Sequence, residues 1–252
     1  MKIAIVTGAS SGLGSEFVRQ IEDLYVALDE IWVLARRGDK MAAIQRELKT
    51  PLRIFALDLE NTDSFATIKQ VLEKEKPNIR MLVNAAGFGK IGCANTLSTQ
   101  EQIGMIDVNC KALTQMTLLC LPYMQKESYL IQIASAAAFC PQPEFSIYAA
   151  TKSYVLSFSR SLGVELASRN IHVTAVCPGP VDTEFFQVAG TSHHLDFLKK
   201  AAMAQPKQVV HRALLDAVHG KSLSMYGWMI KGAYAATKIL PHHWLLHMMS
   251  YM

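Results

Sequence analysis

The sequence predicts a doubly wound α/β fold built on a parallel sheet. Three observations predict it: short β-branched or apolar runs recur along the chain, stretches of helical pattern separate them, and the runs lack the polar alternation of a sheet with one wet face. KIAIV (2–6) is the first run, and it passes directly into TGASSGLG (7–14) and a helical pattern over 14–28, GSEFVRQIEDLYVAL. IWVLA (31–35), RIFAL (53–57) and MLVN (81–84) follow. YLIQIA (129–134) and IHVTAV (171–176) enclose SIYAATK (146–152), which reads as a helix start, and the helical pattern YVLSFSRSLGVELAS at 154–168. Apolar runs bounded by helices in this way read as parallel strands covered on both faces. The strand rhythm ends near residue 182. No repeat, low-complexity tract or Pro/Gly/Ser linker breaks the order, so residues 1–252 read as a single domain.

Composition narrows the function. With 252 residues, half of them hydrophobic, the chain can bury one large core. A net charge of +4 spread over scattered basic residues argues against a nucleic-acid partner. The five cysteines (Cys93, Cys110, Cys120, Cys140 and Cys177) form an odd set without a CxxC pair, the pattern of reduced, buried thiols in a cytosolic protein rather than of zinc or disulfides. The N-terminus runs from one lysine straight into a strand, with no export signal, so a cytoplasmic location is expected.

Three motifs carry chemistry. Glycines at 8, 12 and 14 let the backbone turn tightly, approach a pyrophosphate and pack against the sheet, while the following helix offers free N–H groups and positive dipole charge. This is a dinucleotide site. Tyr148 and Lys152 stand four residues apart, one helical turn, so that a lysine ammonium lies beside a phenol and should lower its pKa. The third motif is LARRG (34–38), which puts Ala35 where NAD sites commonly hold an acid against the ribose 2′-hydroxyl. Arg36 and Arg37 follow, and a guanidinium suits a 2′-phosphate, so the expected cofactor is NADP(H).

Taken together, these residues make the chain resemble the short-chain dehydrogenase/reductase family over about residues 1–185. Six parts occur in family order: TGASSGLG, NAAG (84–87), Asn109, Ser135, Tyr148 with Lys152, and PGPVDT (178–183). NCKA (109–112) departs from the more usual asparagine–valine pair. The resemblance implies a Rossmann fold and four catalytic residues. Tyr148 exchanges the substrate hydroxyl proton, Lys152 lowers its pKa and holds the nicotinamide ribose, Ser135 hydrogen-bonds the carbonyl oxygen, and Asn109 steadies a relay water. It further implies cofactor contacts from Gly8, Ser10, Ser11, Gly12, Leu13 and Gly14, from Asp58 and Leu59 at the adenine, from Asn84 and Ala85, and from Pro178, Gly179, Val181 and Thr183 near the carboxamide. Some NADP-using relatives carry a basic residue at the position of Ser11. Here Arg36 is left as the main anchor, with Arg37 stacking on adenine or pointing into solvent. Dimers or tetramers built on the helices of Asn109 and Tyr148 are implied as well.

Two segments stand outside these motifs. Residues 184–205 occupy the family's substrate-lid position; Phe185, Phe186, Leu195 and Phe197 make the segment apolar, which suits either a lipophilic ligand or helix packing. Residues 226–252 are rich in Trp, Tyr, Met and Leu, yet the uncharged stretch from Ile239 falls short of the roughly 20 residues that span a bilayer. This tail fits a membrane surface, a subunit interface or its own domain. His243 and His247 have helical spacing but no acidic or cysteine partner nearby in sequence, so no metal site is expected. The expected function is an NADP(H)-dependent ketone or aldehyde reductase. Its alternatives are a peripheral membrane reductase of a lipid or steroid ketone, and a non-catalytic dinucleotide sensor or scaffold.

Overall fold

Strands that are apolar on both faces must be sandwiched between helices, and the computed structural model has that arrangement. It describes residues 1–24, 28–190, 203–241 and 244–245. Seven strands form one parallel sheet: β1 (Lys2–Thr7), β2 (Glu30–Ala35), β3 (Leu52–Ala56), β4 (Asn78–Asn84), β5 (Met124–Ile133), β6 (Ile171–Val176) and β7 (Leu223–Ser224). Their order is β3-β2-β1-β4-β5-β6-β7. The helices are α1 (Gly12–Leu24), α2 (Gly38–Gln45), α3 (Thr62–Glu75), α4 (Thr99–Ile106), α5 (Leu113–Cys120), α6 (Ser146–Glu165), α7 (Phe185–Ala189), α8 (Pro206–Val218) and α9 (Trp228–Ile239).

Alternation along each strand feeds two cores. Ala4 and Val6 pack with Phe17 and Ile21 of α1 and with Val210 and Leu214 of α8. Ile3 and Ile5 point the other way, into a cluster with Ile68 and Leu72 of α3 and Met116 of α5. Burying one such side chain is worth about 1.5–3 kcal/mol, so both faces must stay covered.

All six expected strands are present. The seventh was hidden because it has only two residues, too few for a periodic signal, and it is held by side-chain bonds across the turn after α8. Buried Asp216 accepts hydrogen bonds from Ser224 (2.9 Å), Lys221 (2.8 Å) and Arg212 (2.8 Å), which tie β7 to α8. The departure at NCKA also has a structural counterpart: Asp107–Ala112 form a π-helical turn between α4 and α5. Such turns concentrate at functional sites, since the extra residue re-aims its neighbours. All five cysteines are free, and Cys120, Cys140 and Cys177 are buried as expected, whereas Cys93 is exposed and Cys110 half-buried. Of the lid, α7 and residues 203–205 are described, joined at their base by a bridge between Val181 and Ala204; Leu195, Phe197, His243 and His247 lie outside the described residues. Among the described residues, no helix is long and apolar enough to cross a membrane.

Candidate active site

Parallel strands bring their carboxyl ends to one edge, and the winding reverses between β1 and β4, where a crevice opens. Gly8, at the end of β1, has φ +67°, and a Cβ there would lie 2.7 Å from Ala86 Cα. Only glycine allows the two strand ends to pass so closely. Thr7 then links them, its hydroxyl accepting the N–H groups of Ala85 and Ala86 at 3.1 Å each. A Cβ on Gly14 would overlap the Gly8 carbonyl. Thr183 lies 3.4 Å from the Cβ position of Gly12, so the loop after β6 closes the far side of the crevice.

The backbone N–H groups of Ser10, Ser11, Gly12, Leu13 and Gly14 donate to nothing among the described residues. Five unpaired donors at a helix N-terminus are what a pyrophosphate requires. The predicted cofactor residues surround them with uneven roles. Leu59 is buried. Asp58 Oδ1 accepts the Glu60 N–H (3.0 Å) in a turn after β3. Pro178 and Gly179 lie on the loop after β6, where Ile230 of α9 fills the space beside Gly179.

Asn84, expected among the cofactor residues, turns its side chain away from the crevice. That side chain is buried beneath the crevice, where its Nδ2 donates to Thr117 and Gln132 at 3.0 Å each, and it pins β4 to α5 and β5. Arg37 is held by residues of the chain. It reaches over the glycine turn to donate to Ser11 Oγ (2.8 Å) and pairs with Glu184 (2.8 Å), which Lys40 also grips (2.6 Å). Those two partners, Lys40 first, hold the Glu184 carboxyl below its usual range. Arg36 is exposed and unpaired among the described residues.

Ser135, Tyr148, Lys152 and Asn109 meet beside the crevice. Ser135 follows β5, its hydroxyl accepts the Ala137 N–H (3.1 Å), and it lies close enough to the Tyr148 phenol to favour the phenol's ionised form. The Tyr148 ring stacks on Phe145 (4.2 Å between centroids) and tilts against Phe185 (5.5 Å). Lys152 is buried; its Nζ donates to the Ile133 carbonyl (2.8 Å) and stands 5.6 Å from the Tyr148 ring centroid. The expected fall in the Tyr148 pKa does not occur. Burial pushes it up to about 12, outweighing the lowering effect of the Ser135 hydroxyl, and burial also lowers Lys152 to about 8. The physical reason is desolvation of both groups, with the ammonium drawn toward Ile133.

Asn109, in the π turn, spends its amide on the chain: Oδ1 accepts the Phe88 N–H (3.0 Å), and Nδ2 donates to the Phe88 carbonyl (2.9 Å) and Thr151 Oγ1 (3.0 Å). This brackets the loop after β4 against α6. Gly87 leaves room for the arrangement, because a Cβ there would lie 2.8 Å from Asn109 Oδ1 and 3.4 Å from Lys152 Nζ. Sequence reasoning missed Thr7, Phe88, Thr151, Phe145 and Glu184. Thr151 alone carried a signal, since it stands one helical turn from Tyr148. A cavity of about 470 Å³ lies beside this segment, but Ser135 and Tyr148 are not among its walls, which include Phe139, Cys140, Pro141 and Ser153.

Comparison with known proteins points the same way. Residues 2–193 match the family described as short chain dehydrogenase. The NADP-dependent 3-hydroxy acid dehydrogenase YdfG of Escherichia coli is 33% identical over 192 residues, covering 74% of this chain and 75% of that protein. An uncharacterized oxidoreductase of Staphylococcus epidermidis is 29% identical over 184 residues, 72% of this chain and 79% of its own. Among solved structures, the closed form of a serine dehydrogenase complexed with NADP+ superposes with a TM-score of 0.77 at 28% identity, covering 89% and 94% of the two chains. A short-chain dehydrogenase of Sphingobium yanoikuyae in complex with NADPH shares the fold, with TM-score 0.80 and 22% identity over 100% and 96%.

Proposed function

We propose that this chain, which belongs to the short-chain dehydrogenase family, is an NADP(H)-dependent reductase of ketones or aldehydes. The observation that carries the reading is buried Tyr148 with buried Lys152 one turn along α6 and the Ser135 hydroxyl close enough to act on the phenol, all beside a crevice with five free backbone donors. A sensor or scaffold needs the crevice but not the Tyr148–Lys152 pair buried beside it. Reduced nicotinamide, when bound, supplies the hydride. The residues of the chain supply the rest: Ser135 and Tyr148 present two O–H donors to the carbonyl oxygen as negative charge builds on it, and Tyr148 gives up its proton there. Lys152 holds positive charge next to the phenol as it loses that proton, and donates to the ribose. Asn109 fixes the loop that forms the wall behind Lys152. We assign residues 1–252 to one catalytic domain with a lid at 184–205, acting as a homodimer or homotetramer. A panel of aldehydes, ketones, steroids and acyl ketones tests the reading. Consumption of NADPH with at least one class is expected, and cofactor binding without turnover on any would favour the sensor.

The preference for NADP(H) rests on Ala35 and unpaired Arg36, and the NADP names of the relatives support it. Arg36→Ala is expected to weaken NADPH binding by roughly ten- to a hundredfold, the loss of one charge-assisted interaction, with little effect on NADH. Arg37→Ala should cost less, since Glu184 already takes up much of its charge. Glu184→Gln is expected to tighten NADPH by a few-fold at low salt, an effect that fades as salt screens the charges. Titrating both cofactors against the three variants checks this; equal or tighter NADH binding by wild type would overturn the assignment.

A further inference from the structure

Helix α9 presents an apolar stripe to solvent. Trp228, Gly232, Ala235 and Ile239 are spaced four, three and four residues apart, which puts them on one helical face, and all four are exposed. Trp228 is 82% exposed and Ile239 80%. The opposite face is occupied. Ile230 packs over Gly179, Tyr234 tilts against Phe139 (4.9 Å between centroids), and Arg160 donates to the Tyr234 hydroxyl (3.1 Å). The stripe is therefore the outer surface of a docked helix and not an unformed core.

Charge says what the stripe fits. Lys231 and Lys238, seven residues apart, flank it on one side and are both exposed. From residue 217 to the end of the sequence there is no aspartate or glutamate, and of its three lysines Lys221 is paired with Asp216, which leaves Lys231 and Lys238. The exposed Arg160 guanidinium, held to Tyr234, adds a further cation beside the helix. A tryptophan and an isoleucine at the two ends of a short helix, rimmed by lysines with no acidic neighbour, match the headgroup boundary of an anionic bilayer. A helix of 12 residues lies on such a surface and cannot cross it.

We infer that α9 docks this protein on anionic lipid surfaces through Trp228 and Ile239, with Lys231 and Lys238 at the lipid phosphates. The docking face lies at the same sheet edge as the catalytic groups, since the packed face of α9 touches the loop after β6 and the short segment after Ser135. Docking does not depend on the proposed reaction, and its test reads lipid binding alone.

Vesicle flotation tests it with the full chain. Wild type should float with vesicles of 70% phosphatidylcholine and 30% phosphatidylserine at low salt, stay in solution with pure phosphatidylcholine, and detach in 0.5 M NaCl. Each lysine near an anionic surface contributes about fivefold, so K231E/K238E should weaken partitioning by at least 25-fold. W228A/I239A should weaken it by tenfold or more. Circular dichroism and NADPH binding confirm that these surface variants fold. No flotation by wild type would overturn the inference, as would flotation unchanged in both double variants. Size-exclusion chromatography covers the other occupant: a dimer that W228A/I239A converts to monomer, without lipid binding by either, would assign the stripe to a second copy of the chain.

Discussion

Tyr148→Phe is expected to lower kcat for carbonyl reduction by about 10²- to 10⁴-fold, the usual worth of a positioned general acid, while NADPH affinity changes by less than about threefold. The separation follows from the site. The phenylalanine ring keeps the stack on Phe145 and the contact with Phe185, so the walls of the site do not move. What disappears is one O–H beside Ser135. Even a whole hydrogen bond contributes only about 1 kcal/mol to folding, too little to explain a collapse in rate. Because burial holds the phenol near 12, the wild-type donor stays protonated from pH 6 to 10, and no alkaline loss of rate should arise from Tyr148 in that range. Stopped-flow hydride transfer with the best substrate of the panel, beside fluorescence titration of NADPH, reads both quantities. A variant retaining most of its kcat would remove Tyr148 from the chemistry.

How much of this was legible in the sequence depended on whether the information was local. Strands β1, β2, β4, β5 and β6 announce themselves as apolar runs that feed both cores, and even the edge strand β3, only partly buried, keeps a short apolar run. β7 could not be read: two residues carry no period, and its place is set by Asp216 across a turn. The glycine turn was legible because the steric demand is severe, with Gly8 and Gly14 each excluding a Cβ through backbone contacts. Tyr148 and Lys152 were legible through helical spacing. The tyrosine's pKa was not, because spacing fixes proximity, whereas burial depends also on Phe185, which comes from the loop region after β6, closing over the ring that Phe145 stacks on.

Side-chain direction was the other gap. Asn84 and Asn109 were both placed on motifs, yet one amide braces the sheet and the other brackets a loop. Both are spent on holding the site together: Asn109 donates and accepts at once, as an amide can, whereas Asn84 works through its two donating N–H groups while its Oδ1 has no partner. Glu184 was invisible for a similar reason: its partners Arg37 and Lys40 are more than a hundred residues away in sequence. That triangle joins the root of the lid segment to the expected 2′-phosphate site.

Lys152→Met is expected to act in opposite directions on function and on stability. Function should fall by 10²-fold or more in kcat/KM, because one ammonium both favours loss of the phenol proton and donates to the ribose. NADPH affinity should fall with it, unlike in Tyr148→Phe. Stability should rise at pH 7. Burial holds the Lys152 pKa near 8 in the folded protein, against an ordinary value of 10.5, so the native state binds this proton less tightly than the unfolded chain does. Folding therefore bears a desolvation cost that is fully present below pH 8 and fades as pH rises toward 10.5, and wild-type stability gains from this group over that window. The cost at pH 7 is on the order of 3 kcal/mol, partly offset in the variant by the Ile133 carbonyl losing its donor. Methionine fills a similar volume without charge. Thermal unfolding of the cofactor-free proteins should give the variant the higher Tm at pH 7, with the gap closing between pH 8 and 10.5. Cofactor titrations over the same range carry the matching signature: wild-type NADPH affinity should be level below pH 8 and decline above it as the free ammonium loses its proton, while the variant's stays flat in that window. A Tm for Lys152→Met below wild type at every pH, or parallel binding profiles for the two proteins, would mean that the buried ammonium is a structural element rather than the group that holds the ribose.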